Sequence, residues 1–481
     1  MKKTNSFALL ILFVTVLLII SITFLSKQTA LIKSDQHLVL GKILLIIFAI
    51  SSISLYINEL YLNNSTTLKQ MPKTLLIFSL ASLLILSIFQ KQVGIYATAG
   101  FILISAIYAI LNKQIYSLNK IYLVVFAYGI LELVGTIGTP KGFHFPDMTY
   151  SFYLLPLAFC AFRLEKQILL QIMKFLFRVT MLFMMFSVLY WWYNMMHFEV
   201  GVVQWLTKKT LVNGIPGYEF VCSWAHYTHP SYINLVILPA LISGFYIHYK
   251  NNSASGITKF ELIVYCVFCV FFQLVMESRI GVVGVGVILL ITALYYLHLK
   301  KWFFKIALVA ILILGGISVV ILENSLSGFL SDNVRKTDSA LAISYIKEHP
   351  VWGGGYYQEA AVLKQQEAKM SKELTPGYWP KTYTHNQLLG TMIQFGVVGA
   401  IFLIALMVGL LWYAFRSRSY VLVMFLCLYL FFMIIEEPLY VQEGITRFMV
   451  FLTFFIHLSE SEKPIKSIQL WKRFPKSKPA H

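Results

Sequence analysis

The sequence predicts an all-α polytopic membrane protein, a bundle of about 12–14 transmembrane helices with a helical loop on its outer face. Three observations carry this. Of the 481 residues, 58% are hydrophobic and 12% charged, whereas about a quarter of a soluble chain is charged. The mean hydropathy is +0.73. The apolar runs are long and continuous rather than alternating. Only helices or closed barrels satisfy their backbone groups in lipid, and unbroken apolar runs choose helices.

Taken in order, spans are expected near 7–25, 38–57, 74–90, 93–111, 118–138, 150–163, 176–194, 230–249, 258–277, 280–297, 303–322, 386–411, 419–435 and 440–458. The first follows Met1-Lys2-Lys3 without a small-residue cleavage site and reads as a retained anchor. The segment 150–163 is short, as a re-entrant or tilted helix is. With the N-terminus cytoplasmic, the short cytoplasmic loops and the tail outnumber the short outer loops in Lys and Arg by about three to one. An even number of spans returns the basic tail to the same side.

The domain organisation expected is transmembrane helices over 1–322 with an outer loop at 195–229, a large outer loop at 323–385, further spans over 386–458 and a basic cytoplasmic tail at 459–481. The large loop contains a helix over 334–348 with Val334, Leu341 and Tyr345 on one face, ending before Pro350. Trp352-Gly353-Gly354-Gly355 forms a turn, and a polar helix follows over about 357–374.

The net charge of +18 is that of a chain whose basic residues hold its topology; no nucleic-acid-binding signature accompanies it. Of the five cysteines, Cys160, Cys266, Cys269 and Cys427 lie in apolar runs and Cys222 in an outer loop, so no disulfide framework is expected. No Gly-rich phosphate loop faces the cytoplasm, so ATP does not drive this protein, and no cluster with metal-ligand spacing occurs. Glu132 is the clearest ionisable residue inside a span, and such scarcity argues against ion-coupled transport.

The outer surface collects the chemistry. Arg279, in Glu277-Ser278-Arg279-Ile280-Gly281, occupies a tight turn between apolar helices. It is either a guanidinium snorkelling to headgroups or a phosphate ligand, for which its fixed charge and forked donors suit it. His385, in Tyr383-Thr384-His385-Asn386-Gln387-Leu388-Leu389, stands where the large loop enters a span. A helix start favours the neutral ring that a base requires. His229-Pro230-Ser231-Tyr232 opens another span, with His226 close by. Glu436-Glu437 is an adjacent carboxylate pair at an outer helix end, where a polar cap is the plain reading.

Together these segments resemble the O-antigen ligase and polymerase superfamily of bacterial envelope glycosyltransferases, in that family's order and over roughly residues 220–455. His229-Pro230-Ser231-Tyr232 looks like its HP-x-Y element and Ser278-Arg279-Ile280-Gly281 its SR-x-G element. Arg335, then Glu348-His349-Pro350-Val351-Trp352-Gly353-Gly354-Gly355, resembles its large-loop stretch. His385-Asn386-Gln387-Leu388 with Gly396-Val397-Val398-Gly399 is similar to its HN signature, and Glu436 to Phe448 to its closing segment. The chain departs from the pattern after Arg335, where Lys336-Thr337-Asp338 replaces an expected apolar or aromatic residue.

The resemblance implies a metal-independent enzyme without cofactor, in the bacterial inner membrane, with both termini cytoplasmic and a periplasmic active site. Its donor is a glycan on undecaprenyl diphosphate and its acceptor lipid A–core, among membrane lipids and without nucleic acid. The rival acceptors are a growing glycan, as in a repeat-unit polymerase, and a Ser or Thr of an exported protein. A lipid-linked oligosaccharide flippase is the rival from another class; it calls for inverted repeats, broken helices and midplane charge, none of which the sequence displays clearly. In the enzyme reading His385 activates the acceptor hydroxyl and Arg279 binds the diphosphate. Arg335 and Arg447 are secondary contacts, and His229, Tyr232, Trp352 and Glu436 complete the substrate-binding set. Tyr356, Tyr357, Tyr378 and Trp379 are further candidates to stack on sugar rings.

Overall fold

The computed structural model describes residues 36–58, 71–87, 91–137, 150–197, 211–212, 215–216, 221, 230–250, 256–276, 278–296, 333–356, 358–370, 384–461 and 467–469, with some side chains inside these ranges excepted. It is an all-α polytopic fold. The helices are α1 Gln36–Tyr56, α2 Met71–Leu86, α3 Lys91–Asn112, α4 Tyr122–Gly135, α5 Tyr150–Cys160, α6 Lys166–His197 and α7 Pro230–Lys250. There follow α8 Lys259–Val275, α9 Arg279–Tyr296, α10 Asn333–Glu348, α11 Glu359–Met370, α12 Gln387–Arg416, α13 Tyr420–Ile435 and α14 Gln442–Glu460. Every expected span except 7–25 and 303–322 coincides with a described helix; those two lie outside the described residues.

Four of these helices are long and apolar enough to cross a membrane, over Gly94–Asn112, Lys166–Met195, Ser231–Tyr249 and Gln387–Arg416. The others are shorter, and α5, with Pro156 inside it, is the shortest among the apolar ones. At 1.5 Å per residue its axis is only about 16 Å long, half a hydrocarbon core. This accords with the short segment read there from sequence.

Helices α6 and α7 form the centre, 83% and 89% buried over their apolar stretches, against 22% for α3. A helix apolar all round is stable inside such a bundle, while one with a free apolar face is stable only against lipid. Helices α13 and α14 complete the interior; Phe425, Tyr429, Phe448 and Phe455 interleave there, with Tyr429 and Phe448 ring centroids 4.8 Å apart. At the cytoplasmic end expected from sequence, Arg178 of α6 pairs with Glu261 of α8 at 2.6 Å. Glu261 also closes a capping box with Thr258 at the start of α8.

Strand pairing is slight. Strand β1, Gln114–Tyr116, runs antiparallel to β4, Ser467–Gln469, and β2, Leu211–Val212, to β3, Ile215–Pro216. The first pairing joins the α3–α4 loop to the tail, two segments that the charge pattern puts on one side. The second was not expected, although Asn213-Gly214 between short apolar runs is a hairpin signal.

The large loop matches its sequence reading where it is described. Helix α10 covers the expected 334–348, and α11 the first part of the second helix. Leu341, Ala342, Tyr345, Val362, Leu363 and Ile393 form a small second core that seats both helices on α12.

Candidate active site

Helix α12 starts from Asn386, whose Oδ1 accepts the N–H groups of Leu388 and Leu389 at 3.0 and 3.1 Å. Asn and Asp are strong N-caps because they satisfy these orphan donors. The same side chain donates through Nδ2 to the Ile434 carbonyl at 3.1 Å, and Gln387 Oε1 accepts from the Leu439 N–H at 2.7 Å. The start of α12 is thus sewn to the turn between α13 and α14. His385, just before the cap, is forced to φ +57°, a region that few residues other than glycine occupy.

That turn aims the ring of His385 at Glu436, Nδ1 lying 3.1 Å from Oε2, and both side chains are buried. The other oxygen of Glu436 accepts the Ser231 hydroxyl at 3.0 Å. A carboxylate accepting from Nδ1 selects the tautomer whose lone pair is on Nε2, and it stabilises the ring when that nitrogen gains a proton. The structure therefore brings together the HN, HP-x-Y and closing segments through His385, Ser231 and Glu436. Glu436, expected to contact substrate, pairs with the histidine. Tyr232, beside Ser231, is buried.

The turn ahead of α9 is built from a second polar cluster. Asn234 of α7 donates to Ser278 Oγ at 2.9 Å and accepts from Gln273 Nε2 at 2.5 Å. Ser278 Oγ also accepts the Gly281 N–H at 3.3 Å. A Cβ at position 281 would collide with Gln273 Oε1 and Asn234 Nδ2, which accounts for the glycine of the SR-x-G element. Arg279 is the first residue of α9. A cation at a helix N-terminus opposes the helix dipole, and an anion bound between them removes the conflict. Arg335 lies in the first turn of α10. The side chains of Arg279 and Arg335, and all of His226 and His229, lie outside the described residues.

Helix α12 is broken at Gly396, with φ +61° and ψ −155°, and this departs from the expectation of unbroken spans. The freed backbone groups are taken by the large loop. Gly354 N–H donates to the Ile393 carbonyl at 2.7 Å, Gly355 N–H to that of Gln394 at 2.8 Å, and Val397 N–H to that of Pro350 at 2.8 Å. Cβ atoms at Gly353 or Gly396 would collide with the facing backbone. The break is a docking seam between loop and span. Broken helices are tolerated in membranes where protein satisfies the opened groups.

Two further candidates have protein partners. Arg447 is buried in α14, donating to the Ser87 carbonyl at 2.8 Å and lying 3.6 Å from Glu443. Its guanidinium is held by the protein just past the end of α2. Tyr356 is buried against Phe395, ring centroids 6.3 Å apart, so its face is not open to a sugar. Trp352, in contrast, is 72% exposed at the docking seam. Tyr357, Tyr378 and Trp379 lie outside the described residues.

Asn234, Gln273 and Glu359 belong to no motif of the sequence. Polar residues within apolar spans were the available signal for the first two. Glu359 opens an ordinary-looking polar helix, and nothing local marks it. No curated protein matches the chain. Residues 264–404, from α8 to the middle of α12 and including His385, match the family model for O-antigen ligase, the superfamily that the motifs resemble.

Proposed function

We propose that this protein transfers a glycan from undecaprenyl diphosphate to a hydroxyl acceptor at the periplasmic face of the bacterial inner membrane, with lipid A–core as the acceptor. The membrane fold and the family match support glycosyl transfer of the O-antigen ligase and polymerase type. The observation that carries the finer reading is the buried His385–Glu436 pair at the mouth of α12.

In this reading Nε2 of His385 takes the proton of the acceptor hydroxyl as its oxygen bonds to the anomeric carbon of the donor. The bond from that carbon to the diphosphate breaks, and its electron pair leaves on undecaprenyl diphosphate. Glu436 holds the ring and balances the charge it gains. Arg279, with Arg335, neutralises the diphosphate as charge develops on it. Two fixed guanidinium charges serve that purpose without a metal, and transfer is expected to persist after EDTA dialysis. Trp352 supplies an open aromatic face for a sugar ring.

Replacing His385 with Ala in the native host tests this by gel and mass spectrometry of extracted glycolipids. Long glycans accumulating on the carrier lipid, with bare lipid A–core, support the ligase reading. Single repeat units alone make the protein a polymerase. Normal pools on both sides remove His385 from the mechanism and bring a protein acceptor or transport forward.

A further inference from the structure

Two carboxyl groups meet beside the histidine. Glu359 opens α11 and Glu437 follows Glu436, and both are fully buried. Glu359 Oε1 accepts the Thr384 N–H at 2.7 Å. Glu437 Oε1 accepts the Thr384 hydroxyl at 2.5 Å and the Asn386 N–H at 3.3 Å. The residues on both sides of His385 therefore hang from these two side chains. The remaining oxygens, Glu359 Oε2 and Glu437 Oε2, are buried with no donor among the described residues. Both lie over Gly390, where a Cβ would collide with the one and come within 3.1 Å of the other.

The two free oxygens converge on one point over Gly390, Glu437 Oε2 at 2.4 Å from it and Glu359 Oε2 at 3.1 Å. Carboxylates have no hydrogen to donate, so two of them cannot satisfy each other there. We infer that Glu359 and Glu437 share one proton, and that this carboxyl pair fastens the large loop to the span and positions the His385 turn. Glu437 Oε1 already accepts two donors, so the proton belongs on its Oε2, donated to Glu359 Oε2. Every polar atom of the pair is then satisfied.

Burial, together with the neighbouring Glu359, pushes the Glu437 carboxyl well up; burial raises that of Glu359 to about 7, against the hydrogen bonds from Glu437 and Thr384. Among the described residues, Asp338 from α10 and Tyr128 from α4 act on the pair, and His385 and Glu436 adjoin it along the chain. The acidic neighbours favour keeping the proton.

The role in positioning rests on the glycosyl-transfer reading, whereas the shared proton does not, and glutamine separates them. An amide at either position supplies permanently the N–H that the proton supplies in the native pair, while keeping an acceptor for Thr384. Amides at both positions set two N–H₂ groups face to face. The experiment compares Glu359→Gln, Glu437→Gln, the double variant and the native protein in detergent. It reads thermal midpoint, hydrogen exchange of the 384–390 backbone, and kcat and KM for the lipid-linked donor.

Each single variant is expected to keep protection at 384–390 and a kcat within about threefold of native. The double is expected to lose protection and at least about tenfold in kcat, with donor KM little changed, as buried donors left facing each other require. A double variant that fails to fold while both singles fold supports the shared proton equally. A double variant as protected and as active as the singles overturns it, as does either single falling as far as the double. Should the exchange pattern hold while even native protein transfers no glycan, the proton pair stands and the transferase reading falls.

Discussion

His385 adopts φ +57° with a buried ring against Glu436. A non-glycine residue there costs of order 1–3 kcal/mol and persists only where its surroundings impose it. Here hydrogen bonds on both flanking residues do so. His385→Ala should therefore lower transfer by about 10²–10⁴, the usual worth of a general base, with the protein still made at native levels. Glu436→Gln should keep the ring in place yet lose roughly 10–100-fold, because a hydrogen bond to a charged partner is worth about 1.5–3 kcal/mol. Initial rates of the purified variants check both. His385 stood out through its place in the HN signature, since a lone histidine at a loop–span boundary reads by itself as structural. Its partner was legible only as a carboxylate pair at a helix end, since residues 385 and 436 approach each other through the packing of α12 on α13.

At the scale of elements, the broken α12 explains glycines that a sequence motif merely records. Gly353 and Gly396 are the points where the loop backbone touches the opened helix. Gly396→Ala adds a collision and a disfavoured φ, and is expected to destabilise by more than about 2 kcal/mol. Loss of the loop from the seam should appear as rapid proteolysis within 350–356 while the spans stay folded. Asn386→Ala removes the cap of α12 and is expected to cost about 0.5–2 kcal/mol in thermal denaturation. Helix α10 could be placed from sequence because Pro350 limits it and its apolar face is regular. The break could not, because Gly396 lies in an apolar run that reads as one continuous span.

The whole molecule is organised around buried α6, α7, α13 and α14, with the other spans arranged about them. Hydropathy revealed the spans but not this arrangement, since a lipid-facing helix and a central one are equally apolar in sequence. The Arg178–Glu261 pair joins α6 to α8. Removing one partner leaves a buried charge, so Glu261→Ala should cost about 3–5 kcal/mol.

Stability should also depend on pH through the carboxyl pair. The pair is raised above the ordinary 4.5, Glu359 to about 7, so the folded protein keeps the shared proton where the unfolded chain has released it. That contribution is complete below about 4.5 and is lost as pH rises through about 7. The thermal midpoint in detergent should fall from about pH 5 to about pH 8, and less so in Glu359→Gln.

Single-turnover transfer by the purified protein in lipid, with a glycan on undecaprenyl diphosphate as donor, tests the role of His385 in glycosyl transfer. The native protein should release undecaprenyl diphosphate in step with glycan appearing on the acceptor. The His385→Ala variant should bind the donor as well and react at least about 10²-fold more slowly. Equal rates for the two proteins would remove His385 from the reaction, and donor binding by the native protein without transfer would rule out glycosyl transfer.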